Sequence, residues 1–121
     1  MSDFGFKDSG KRESFSTGAV RDTRESKGRF DLITPYGLER LALVMEKGAK
    51  KYADRNWEKG MPFSRLVDSA ERHINSFKKG MIDEDHLAHA CFNLFAIMHF
   101  EALRPDLDDM PHYIKEKGDA D

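Results

Sequence analysis

Acidic side chains at Glu46, Asp68, Glu71, Glu84 and Asp85 are the residues whose types and spacing suit chemistry on a charged substrate. Asp68 and Glu71 are three apart, so on a helix they are neighbours that repel unless solvated, paired or bridged by a cation. Carboxylates projecting from facing helices into a bundle recurrently hold hard divalent cations, which prefer oxygen ligands. Such cations bind phosphates and stabilise charge during attack at phosphorus. A second constellation lies nearby: on a helix, Asp85, His86, His89 and Asn93 fall within an arc of about 100°. Taken singly, each reads more readily as structure, because acids cap helix starts and buried polar side chains are normally hydrogen-bonded. Four on one flank of an otherwise apolar stretch point to the wall of a site.

Three helices must position these groups. Thr34 and Pro35 form a cap and first-turn pair, and Leu38, Leu41, Ala42, Met45, Ala49 and Tyr52 recur at helical spacing, which predicts a helix from about Pro35 to Lys51. Pro62 and Ser64 start a second, ended by Gly80, with Phe63, Leu66, Val67, Ala70, Ile74 and Phe77 as its apolar stripe and His73 on the flank. The third runs from Asp83 to Leu103 and stops before Pro105. Because this third helix is apolar almost all round, it is expected to be buried, with Cys91 a small core residue. The short link Gly80-Met-Ile-Asp83 makes the second and third helices antiparallel neighbours. Between the first two lies a structured loop with Tyr52, Asn56 and Trp57, where an aromatic either covers the bundle end or offers a flat face to a nucleobase.

Ahead of the helices, residues 1–28 are polar and Gly-rich, an arm expected to be extended or poorly ordered unless it docks. Its cations Arg21, Arg24, Lys27 and Arg29 are either a solvated tail or a clamp on phosphates, with Gly18 and Gly28 permitting close backbone approach. Phe30–Ile33 reads as a short extended anchor. After the helices, residues 105–121 are acidic and weakly patterned, with Met110, Tyr113 and Ile114 as a possible docking turn.

The chain of 121 residues suits one domain with a modest core, and its net charge of −2 argues against a duplex nucleic-acid binder. No apolar run approaches the roughly 18 residues needed to span a bilayer, and the start lacks the apolar segment of a signal peptide. A single cysteine suits a reducing compartment, so the cytoplasm is expected.

The strings TGAVRDTRESKGRFDLITP, EKGAKKYADRNWEKGMPFSRLVDSAERH and DEDHLAHACFN closely resemble the phage-associated dATP/dGTP diphosphohydrolase N-terminal domain family. That family is similar to the MazG-like all-α nucleoside triphosphate pyrophosphohydrolases, which bind magnesium through acids from two or more helices. The resemblance implies a small, oligomeric all-α bundle that hydrolyses a purine deoxynucleoside triphosphate to monophosphate and pyrophosphate. Residues 29–104 would then be a helical nucleotide-hydrolase domain, in the host cytoplasm if phage-encoded. This chain departs from the MazG-like ExxE and ExxD pairs: it has Asp68-Ser-Ala-Glu71, then Asp85 with His86 and His89, a set that admits Mn2+ beside Mg2+.

The resulting expectation is that Glu46, Asp68, Glu71 and Asp85 hold Mg2+ or Mn2+, with Glu71 and Asp85 catalytic. Arg21, Arg24, Lys27, Arg29, Asn56, Trp57, His73, His86, His89 and Asn93 contact the substrate or orient ligands. A two- or three-helix protomer leaves apolar surface, so a homodimer or homotetramer is expected. Two other classes fit the same residues: a phage-encoded sponge that sequesters a signalling nucleotide without turnover, and a helical interaction module.

Overall fold

Proline at the first position of a helix loses no hydrogen bond, because that N–H has no partner inside the helix. The first helix begins there: α1 spans Pro35–Lys51, with Thr34 as its N-cap. α2 spans Phe63–Lys78 and α3 spans His86–Leu103. This computed structural model describes residues 8–114, so both ends of the chain, including the start of the expected arm and the end of the expected tail, lie outside the described residues. The chain divides into two compact units between Ile33 and Thr34.

The first unit, whose composition predicts an extended or poorly ordered arm, carries a short hairpin among its described residues. β1 (Arg12–Ser14) and β2 (Val20–Asp22) pair antiparallel, with Glu13 opposite Arg21. Phe15 N–H donates to Ala19 O at 2.9 Å across the turn, which Gly18 completes at φ 91°, a backbone region that side chains disfavour. Polar contacts hold this hairpin where apolar surface is scarce. Asp22 accepts from Ser9 Oγ and from Lys27 Nζ at 2.7 Å, and these bonds hold its carboxyl well below the usual range. Phe30–Leu32 is a 3-10 turn rather than an extended anchor.

The second unit is the expected small all-α bundle of three helices. α2 and α3 are antiparallel, since their contacts run in opposite order: His73 meets His86 and His89, and Ser69 meets Asn93. Phe63 and Leu66 of α2 and Ala96 and Phe100 of α3 form the core, with Trp57, Met61, Phe92, Ile97, Leu107 and Met110 packed around it.

Two expectations need correction. α3 is buried on only part of its circumference: Leu87, Cys91, Leu94, Phe95 and Met98 are exposed. They share an arc of about 100°; α1 and α2 cover the other sides. α1 likewise buries Val44, while Leu38 and Tyr52 stand exposed.

The tail also begins later than composition suggests. Leu107 and Met110 pack on the core, and a Cβ on Gly60 would come within 3.0 Å of Leu107 Cδ1. Asp109 accepts from Ser64 N–H at 2.8 Å and from Ser64 Oγ at 2.6 Å. It therefore satisfies a free donor at the start of α2, as a cap supplied from the far end of the chain. Tyr113 and Ile114 are exposed and do not dock. Asp109→Ala is expected to lower the urea midpoint, as loss of an N-cap does.

Candidate functional site

Arg40, Lys47 and Lys51 are seven and four residues apart, which on a helix aligns them within about 40° of one another. That stripe of α1 forms one wall of a cleft of about 720 Å³ in the helical unit. The loop after α1 contributes Tyr52, Arg55, Asn56 and Trp57, and the connection into α3 contributes Asp83, Glu84 and Asp85, with His89 and Phe92 behind them. Cations and aromatics thus line the same space, with acids at the end formed by the α3 start.

Trp57 covers the end of the bundle, the first of the two roles weighed from sequence. Its ring meets Phe92 and Phe100 edge-on, with centroids 5.7 and 5.8 Å away, so it closes the core. It also lines the cleft.

Asp85 is fixed firmly. Its side chain caps α3 by accepting from Ala88 N–H at 3.1 Å, and Arg40 forks onto it with Nε at 2.8 Å and Nη2 at 2.6 Å. The Arg40 guanidinium pulls its pKa down to about 2. A carboxyl whose pKa falls on folding stabilises the fold above the ordinary carboxylate range, and that stability is lost as pH falls from about 4 towards 2. Arg40 is about half exposed, so solvent screening reduces the effect to about 1 kcal/mol. Asp85→Asn, which keeps a capping oxygen, is expected to lower stability by about that amount at pH 7. The difference should shrink towards pH 2, followed by urea denaturation at each pH.

Beside the cleft lies a cluster of imidazoles. His73 Nδ1 is 2.9 Å from His86 Nδ1, and His86 Nε2 is 2.8 Å from Asp83 Oδ1. His73 stacks on His89 with centroids 4.8 Å apart, and His89 Nε2 is 3.7 Å from Glu84 Oε1. Burial first, then His89, holds His73 below the ordinary histidine pKa. The hydrogen bond to His86 does the same to Asp83. Asn93, buried in the same interface, donates to Ser69 Oγ at 3.2 Å and His89 O at 2.9 Å, so it ties α2 to α3.

The structure brings Asn56, Trp57, Asp85 and His89 into the cleft and gathers His73, His86 and His89 beside it. It does not gather the four acids within one chain. Glu46 pairs with Lys50 at 3.6 Å and Asp68 with Arg72 at 3.3 Å, each along its own helix, and both are exposed, as is Glu71. With Asp85 taken by Arg40, this quartet does not converge on a single cation position within the chain. Among the arm cations, Lys27 is held by Asp22 and Arg29 forks onto Asp31 at 2.9 Å, with Arg24 3.7 Å from the same carboxylate. Arg21 is exposed on β2. The cleft cations were missed, although the period of Arg40, Lys47 and Lys51 was readable.

Residues 17–110 match the family described as dATP/dGTP diphosphohydrolase, N-terminal. A Salmonella phage PMBT28 protein named dATP/dGTP diphosphohydrolase is 33% identical over 90 residues, covering 70% of this chain and 31% of that protein. The chain therefore spans less than a third of the length of that relative. No solved structure matches. Among the described residues, no helix is long and apolar enough to cross a membrane.

Proposed function

Since the chain belongs to the dATP/dGTP diphosphohydrolase N-terminal family, we propose that it hydrolyses dATP or dGTP to the monophosphate and pyrophosphate. Water attacks the α-phosphorus, and the setting is the cytoplasm of an infected cell. The observation that carries this reading is the cleft, which combines the cations of α1 with Tyr52, Asn56 and Trp57 in one space. Lys47, Lys51 and Arg55 neutralise phosphate oxygens, Arg offering bidentate donors. Tyr52 and Trp57 supply apolar faces for the purine, and Asn56 a donor and an acceptor for its edge.

The cation of this reaction is Mg2+ or Mn2+, which when bound neutralises phosphate charge and polarises a water. The working form is a homodimer or homotetramer closed over the exposed α3 face. In that assembly Glu46, Asp68 and Glu71 enter a site only from a subunit interface, and Glu71 orients the water only there. Replacing Leu94 and Phe95 together by Glu is expected to yield monomers in sedimentation, where the unaltered protein gives dimers or tetramers.

A second reading draws support from the ungathered acids: the cleft sequesters a nucleotide without turnover. Incubation with each dNTP plus Mg2+ or Mn2+, with products separated by chromatography, distinguishes the two. Monophosphate and pyrophosphate support hydrolysis, unchanged but tightly bound nucleotide supports sequestration, and neither binding nor products overturns both.

A further inference from the structure

We infer that His73, Glu84 and His86 form a binding site for one first-row transition-metal dication, held by two imidazoles and a carboxylate. Among the described residues this is the one group of His, Cys, Asp and Glu side chains whose ligand atoms converge, all within 4.8 Å of one another. The two nearest donors are within about 0.1 Å of the spacing a metal requires. Ligand bonds of about 2.1 Å at angles of 90–109° place two nitrogens roughly 3.0–3.4 Å apart, and His73 Nδ1 and His86 Nδ1 are 2.9 Å apart.

The tautomers follow from the neighbours. His86 Nε2 faces the Asp83 carboxylate at 2.8 Å, so its proton is on Nε2 and its Nδ1 presents a lone pair. His73 Nδ1–H donates to that lone pair in the metal-free protein. A cation takes the place of this hydrogen, and the proton of His73 moves to its other ring nitrogen, so each imidazole ligates as the neutral base. Asp83 then stands behind His86 as metal-bound histidines require, fixing the ring and raising its basicity.

The rings are held in advance. His86 is only 5% exposed, at the first turn of α3, and the Asp85 before it is clamped by Arg40. His73 is stacked on His89 with ring planes 13° apart. A buried neutral imidazole needs a partner at each ring nitrogen, and Asp83 and His73 supply these for His86; a glutamate within reach of both imidazoles exceeds that need. Two imidazoles select Mn2+, Fe2+, Co2+, Ni2+ or Zn2+ over Mg2+, which prefers an all-oxygen shell. Glu84 and His89 also line the cleft, so this site opens beside it, but the inference stands without the nucleotide reading.

Co2+ alone is the probe, added to the full chain in the absence of nucleotide. The expected result is saturation at one equivalent, visible d–d absorption, paramagnetically shifted imidazole resonances, and no displacement by 100-fold excess Mg2+. His73→Gln and Glu84→Gln, both outside the fully buried core, should each weaken Co2+ binding at least tenfold with unchanged circular dichroism, and Asp83→Asn by about 10–100-fold. Absence of saturable Co2+ uptake, displacement by equimolar Mg2+, or unaltered affinity in both His73→Gln and Glu84→Gln would overturn the site. Nucleotide binding measured in the same variants keeps that outcome separate from the fate of the cleft.

Discussion

Reversing the charge of Lys47 and Lys51 together is expected to weaken dATP and dGTP binding at least 100-fold. Both line the cleft wall and both are exposed, so neither is needed for packing. A charge-assisted hydrogen bond is worth about 1.5–3 kcal/mol, and solvent exposure lowers that figure. Two such bonds lost, with two carboxylates now repelling a polyphosphate, still exceed the roughly 2.7 kcal/mol that corresponds to 100-fold. Arg40 is left in place because it holds Asp85. Lys50→Glu is the matched control: that residue pairs with Glu46 on α1 and does not line the cleft. It should change affinity only slightly. Calorimetric titration at two salt concentrations checks the result, and added salt should weaken the unaltered protein more than the double variant.

The largest effect on stability is expected from Phe100→Ala. Phe100 is 0% exposed and belongs to the cluster formed with Phe63, Leu66 and Ala96. Emptying such a position removes transfer free energy and leaves a cavity, at a cost of about 3–5 kcal/mol. For a small domain that is much of the whole, since total stabilities run at about 5–15 kcal/mol. The loss also reaches the cleft, because Phe100 supports the Trp57 ring from the side. Urea denaturation followed by the fluorescence of the single tryptophan reads both consequences. The midpoint should fall steeply, and native emission should shift as the ring loses its backing.

The helices were legible because their causes are local. A cap, a proline and an apolar period lie within one turn or two of each other, and α1 forms at the predicted residues Pro35–Lys51. The hairpin was less visible. Its turn signal at Gly18 was present, but the contacts that hold it are polar and join residues such as Ser9 and Asp22. For the site, periodicity told which acids share a helix face but not what lies opposite. Arg40 and Asp85 are 45 positions apart, and nothing local links them. The same limit explains the error on α3: an apolar circumference states how much surface must be covered, not how much a single chain covers. Leu94, Phe95 and Met98 stay open because α1, α2 and the turn at Pro105–Leu107 pack against the other sides of α3.

The cleft as nucleotide site is tested most directly by amide spectra of isotope-labelled protein titrated with dGTP and Mg2+. Shifts should concentrate at Gly48, Ala53, Asn56 and the Trp57 indole, all on the cleft wall. Perturbations confined to the Asp68 and Glu71 face of α2, or none at saturating nucleotide, would contradict it.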